Sequence, residues 1–145
     1  LADNAANRGK ALSLLILDVD HFKPVNDTHG HAVGDKVLKE LSERIRKNIR
    51  RIAVPWRIGG EEFMVALPDT NAEVATRIGE RLRDAVSCRP FNVGAKAGPL
   101  DVTISIGIAA LDHCTDTLES ILKRADDTLY RAKREGRNRV AGAAA

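Results

Sequence analysis

The chain has 145 residues, 43% apolar and 30% charged, a balance that suits one domain with its own core. Its formal charge of +3 and aromatic content of 3% supply neither the field nor the stacking surface of a nucleic-acid binder, and only Arg46, Lys47, Arg50 and Arg51 are concentrated. No apolar run reaches membrane-span length, the opening residues show no charged-then-apolar leader, and Cys88 and Cys114 read as free, reduced thiols of a cytoplasmic protein.

Residues 11–19 (ALSLLILDV) are nearly continuously apolar, the pattern of a central strand covered on both faces, and Asp18 and Asp20 stand at its end. Residues two apart share a strand face, so these carboxylates can point the same way. Asp20 is expected to cap the next helix, whereas Asp18, an acid closing a buried strand, needs a partner, and a metal would serve. In residues 21–28, Pro24 suits the first turn of a short helix that Gly30 ends. From Asp35 onward, Val37, Leu38, Leu41, Ile45 and Ile49 recur opposite Lys36, Lys39, Glu40, Glu43 and Lys47, which predicts an amphipathic helix on the sheet.

Residues 52–58 and 63–67 read as the arms of a hairpin around Gly59-Gly60, a pair that can reverse the chain with φ > 0 at no steric cost. Glu61 and Glu62 follow at once. Acids on a rigid turn suit a divalent cation, and bare backbone beside them admits a bulky ligand. Pro68-Asp69-Thr70 reads as a turn with a cap, and Ala75, Ile78, Leu82 and Val86 as a second amphipathic helix ending near Ser87. Residues 89–99 form a connection with a short edge strand at 91–93. Val102, Ile104, Ile106 and Ile108 alternate with Thr103, Ser105, Gly107 and Ala109, which predicts a half-buried strand. Leu118, Ile121, Leu122, Ala125, Leu129 and Ala132 predict the last long helix, capped by Gly136. Residues 138–140 follow as a closing strand and residues 141–145 as a fraying tail. The order strand, helix, hairpin, helix, strand, helix implies an α/β single-domain sandwich with a central mixed sheet flanked by helices.

That order draws the acids Asp18, Asp20, Glu61 and Glu62 to one edge of the sheet. Lys133 and Arg137 lie a turn apart at the end of the last helix, with the polar stretch of Lys23, Asn26 and Asp35 between. Basic residues there also meet the helix dipole. Acids for Mg²⁺ together with cations for phosphate are what a nucleoside triphosphate requires.

With these residues in view, the chain resembles a GGDEF domain, the catalytic domain of diguanylate cyclases. Gly59-Gly60-Glu61-Glu62-Phe63 is similar to the GGEEF form of the signature. The segment from Leu17 to Lys23 resembles the strand-end motif, and Asn26-Asp27-Thr28-His29-Gly30-His31 with Gly34-Asp35 resembles the NDxxGHxxGD run. Thr103-Ile104-Ser105-Ile106-Gly107, Ala125-Asp126 through Tyr130-Arg131-Ala132-Lys133, and Gly136-Arg137-Asn138 complete it. The resemblance implies a mainly antiparallel sheet of the nucleotide-cyclase or polymerase-palm type, and condensation of two GTP into cyclic di-GMP by a homodimer in bacterial signalling. It implies that Asp18, Glu61 and the Val19 carbonyl hold Mg²⁺, or Mn²⁺ in its place, with Glu62 serving a second ion. Asp18, Glu61 and Glu62 are then the catalytic acids. Lys23, Lys133 and Arg137, with backbone N–H groups near Phe22, would neutralise the triphosphate. Asn26 and Asp35 would read guanine, Leu38 would pack on the base, and Gly59 and Gly60 would make room for GTP.

The inhibitory Arg-x-x-Asp site of many members falls on Arg50-Arg51-Ile52-Ala53, where alanine replaces the aspartate, so Arg50 and Arg81 are expected to form a weakened product site. His21 and Pro24 also depart from the usual pattern. The family's opening DxLTGLxNRR-like segment is missing, and residues 1–7 look like a helix cut open. The expectation is one catalytic domain, 1–145, without its N-terminal helix and an upstream regulatory domain. The competing function is a catalytically silent module that binds GTP or cyclic di-GMP.

Overall fold

The computed structural model describes residues 11–53, 55–94, 96 and 98–142. The apolar run becomes β1 (Leu12–Val19), buried along its whole length. Its neighbours are β3 (Glu62–Pro68), paired through the turn with β2 (Pro55–Gly59), and β6 (Ile104–Ala110), which runs parallel to β7 (Arg139–Gly142). The sheet order is β2-β3-β1-β6-β7, antiparallel except for the last pair. A separate ribbon pairs β4 (Phe91–Asn92) with β5 (Pro99–Leu100). Four helices complete the described chain: α1 (Phe22–His29), α2 (His31–Ile49), α3 (Ala72–Ser87) and α4 (Leu118–Arg134).

Strand alternation divides the core. Leu15, Leu17 and Val19 join Leu41, Ile45 and Leu82 of α2 and α3 on one face, while Leu14 and Ile16 meet Ile121, Ala125 and Leu129 of α4 on the other. Each fully buried Leu or Ile contributes about 1.5–3 kcal/mol.

Several local expectations are corrected. Asp20 caps nothing: the α1 N-cap is His21, at φ 57° and without a side-chain cap. Asp20 faces the sheet instead, where hydroxyl and amide donors satisfy it better than a helix end would. Helix α2 begins at His31 rather than Asp35, because its first turn packs against α1 with Gly34 buried at the contact. Asn71, not the Pro68–Thr70 turn, caps α3 by accepting from the Val74 N–H at 2.9 Å. Strand β6 is buried on both faces. Its small residues, read as a polar face, are small because α4 lies on them: a Cβ at Gly107 would stand 2.2 Å from the Leu129 nitrogen and 2.3 Å from the Ala125 carbonyl. Ala141 and Gly142, assigned to the tail, belong to β7. The expected N-terminal helix fragment and residues 143–145 lie outside the described residues.

Candidate active site

The site forms where β1, the β2–β3 turn and the end of α4 meet. Asp18 pairs across the sheet with Glu62 on one side and Ser105 on the other, on the face that α4 covers. Asp18 as a whole is 5% exposed. Lys133, in the last turn of α4, donates to its Oδ2, while its Oδ1 is buried with no hydrogen-bond partner. Burial raises the Asp18 pKa above the ordinary carboxylate range; Lys133 opposes that shift and Asp20 adds to it. Burial, then the Asp18 charge, raises Glu61, and burial, then Asp126 and Asp18, raises Glu62. Three acids are thus held where their negative charges resist one another, the condition in which a cation would be drawn in.

A cleft of about 240 Å³ gathers Asp18, Val19, Phe22, Lys23, Glu61, Lys133 and Arg137 with Asp20, His21 and Pro24. Asp18 and Glu61 therefore share one space with the cations Lys23, Lys133 and Arg137, and Glu62 stands outside its lining. Among the described residues no group of three His, Cys, Asp or Glu side chains is clustered as a complete metal cage. The donor set instead suits Mg²⁺, which takes one or two carboxylates and leaves its remaining positions to water and phosphate oxygens.

Gly59 pairs with Glu62, so Gly60 and Glu61 make a two-residue loop after an irregularity at Ile58. Arg57 Nε donates to the Gly60 carbonyl at 2.9 Å and braces it. The expectation that these glycines supply a positive φ is corrected: neither has one, and a Cβ at either would meet nothing within 4 Å. No fold requirement for glycine is visible at these two positions.

A second cleft, about 600 Å³, runs beside the turn between α2 and β2. Asp35 and Leu38 line it with Lys39, Ser42, Glu43, Arg46, Pro55, Arg57 and Phe63. Asn26 is not among the lining residues. It packs against Gly34, where an added Cβ would stand 1.9 Å from its Oδ1, and that oxygen is buried without a partner. Arg50 and Arg81 line a third cavity, about 410 Å³, with Lys47, Asn48, Arg51 and Ile52. Arg81 Nη2 donates to the Asn48 carbonyl at 2.6 Å. Ala53 packs against the core and presents no acceptor to these cations. Sequence reading missed Arg57, Lys39 and Arg46 as cleft residues, because an exposed cation beside a turn looks like any other in one dimension.

A family model described as diguanylate cyclase, GGDEF domain, matches residues 1–139. The chain is 49% identical over 145 residues to the response regulator PleD of Caulobacter vibrioides, covering 100% of this chain and 32% of that protein. It is 46% identical over 132 residues to the diguanylate cyclase DgcP of Pseudomonas aeruginosa, covering 91% and 19% respectively. The chain thus spans a third or less of the length of these relatives. Among solved structures, the GGDEF domain of DgcB from Caulobacter crescentus in complex with c-di-GMP superposes with a TM-score of 0.91 at 35% identity, over 97% of this chain and 82% of that one. The active GGEEF domain of a diguanylate cyclase from Vibrio cholerae gives 0.89 at 32% identity, over 99% and 89%.

Proposed function

We propose, because the chain belongs to the GGDEF family of diguanylate cyclases, that it condenses two GTP into cyclic di-GMP and two pyrophosphates. The observation that carries the reading is the convergence in one cleft of Glu61, the partnerless Asp18 Oδ1 and the cations Lys133 and Arg137. Two glycines without a visible fold requirement beside that cleft support it, since a ligand supplies the reason for bare backbone there.

In this reading Asp18, Glu61 and the Val19 carbonyl hold Mg²⁺, or Mn²⁺ in its place, with Glu62 serving a second ion. The metal supplies acidification of the attacking hydroxyl and stabilisation of phosphate charge. Lys133 moves from Asp18 to the triphosphate, joined by Arg137 and Lys23 and by the N–H groups near Phe22. Asp35 accepts from the guanine N–H donors and Leu38 packs on the base, and Asn26 joins them once its Oδ1 turns out from its buried place beside Gly34. The 3′-hydroxyl oxygen of one GTP bonds to the α-phosphorus of the other. The bond to the bridging oxygen breaks, pyrophosphate leaves and the hydroxyl proton passes to solvent. A second such step closes the ring. One domain holds one GTP, so two copies face each other, brought together in the whole protein by an upstream regulatory domain.

We place the domain in the cytoplasm, where GTP is supplied; no helix among the described residues is long and apolar enough to cross a membrane. Incubation with GTP and Mg²⁺, followed by chromatography, is expected to yield cyclic di-GMP. No product from a form that retains its upstream region would favour the silent binding module instead.

A further inference from the structure

Asp20 lies in the phosphate cleft, yet both its oxygens are engaged within the chain. Its Oδ1 accepts from Ser105 Oγ at 2.6 Å, and its Oδ2 accepts from Thr103 Oγ1 at 2.7 Å and from the Asn138 N–H at 2.9 Å. At 6% exposure these three donors fix the carboxylate rigidly between β6 and the segment that follows α4.

The amide it holds belongs to the residue after Arg137. Helix α4 ends in a Schellman turn, in which the Gly136 N–H reaches the Lys133 carbonyl at 3.4 Å and the Arg137 N–H reaches the Ala132 carbonyl at 3.0 Å. Arg137 and Asn138 then both take left-handed backbone, at φ 64° and 45°. Asparagine tolerates that conformation, but arginine holds it only where its surroundings impose it. Here the helix end clamps the N–H of Arg137 itself, and Asp20 clamps the next one. Arg83 of α3 adds a third restraint, donating from Nη1 to Asn138 Oδ1 at 3.0 Å.

We propose that Asp20 is a positioning residue for the triphosphate: by tying Asn138 to β6 it imposes the backbone turn that aims Arg137 into the cleft, and so sets the preference for a triphosphate over a monophosphate. The inference rests on the GTP reading of the site and deepens it. Asp20 acts through Arg137, since both its oxygens already accept hydrogen bonds within the chain.

The test measures binding of two probes by calorimetry: the α,β-methylene analogue of GTP, whose triphosphate cannot be cleaved at the α-phosphate, and GMP. The unaltered chain is expected to bind the triphosphate more tightly. Asp20→Asn, which leaves one oxygen for three donors, is expected to weaken the triphosphate about tenfold while GMP affinity stays unchanged. Arg137→Ala is expected to produce the same selective loss, and Asp20→Asn to add nothing on that background. Equal weakening of both probes, or losses that add, would assign Asp20 a structural role only and overturn the proposal. If Asp20→Asn shows no cooperative melting, Thr103→Val decides: a smaller loss confined to the triphosphate supports the proposal, and a loss shared by both probes overturns it. An unaltered chain that does not distinguish triphosphate from GMP would remove the GTP reading, and this inference with it. A selective chain with unselective variants would remove this inference alone.

Discussion

Glu61 is where charge, burial and loop geometry meet, and the sign of its pKa shift makes its replacement informative. Burial and the neighbouring Asp18 charge raise its folded-state pKa above the ordinary carboxylate value of about 4.3. A proton on Glu61 therefore stabilises the fold below that ordinary value, and the contribution is lost as pH rises through the raised one. At neutral pH without metal, the ionised group works against the fold. Glu61→Gln is accordingly expected to abolish cyclic di-GMP formation, while its metal-free melting temperature at pH 7 equals or exceeds that of the parent chain; a lower melting temperature would contradict the charge argument. The same shifts at Asp18 and Glu62 predict that Mg²⁺ affinity, read by titration, weakens as pH falls toward the ordinary carboxylate range, since the ligands must be ionised.

At the scale of elements, the hairpin and α4 use glycine for opposite reasons. A side chain at Gly60 would enter open space with no change of backbone sign. Gly60→Ala is expected to keep the melting temperature within a degree or two of the parent and to lose GTP-analogue binding; a chain that melts early would show that the turn needs glycine for itself. Gly107 is filled space. A methyl there would collide with the α4 backbone at Leu129 and Ala125, so Gly107→Ala is expected to destabilise by about 1–3 kcal/mol or more, measured by urea unfolding. It would also lift the helix that carries Lys133 to Asp18. Arg44 shows how another element is secured. Buried under Phe91, it donates to the carbonyls of Val86, Arg89 and Pro90 and so ties α2, which bears Asp35 and Leu38, to the end of α3.

For the whole molecule, a cleft that holds one nucleotide, as proposed, would make turnover a property of two copies. Progress curves across a dilution series are expected to show the rate per chain falling with dilution. They should also stay linear as product accumulates, because Ala53 leaves Arg50 and Arg81 without the carboxylate that would accept the guanine N–H donors; early curvature that Arg50→Ala removes would contradict the second half. The strand and helix order and the mixed sheet were legible in one dimension, since burial imposes a period of two on strands and 3.6 on helices, and with them the gathering of Asp18, Glu61, Lys133 and Arg137 in one cleft. Resemblance of Leu17–Lys23, Gly59–Phe63 and Gly136–Asn138 to family motifs then named the residues to examine. Three matters escaped that reading. Asp20 looked like a helix cap because its hydroxyl donors lie more than eighty positions away. The small residues of β6 looked like an exposed face because a covering helix leaves no periodic mark on the strand beneath it. Gly59 and Gly60 looked like turn-formers because glycine permits positive φ without requiring it. Sequence by itself determined which side chains were available and which face each could take. Tertiary structure alone decided which donors met Asp20, which glycines were crowded and which were open, because contacts between distant segments depend on how the layers close over one another.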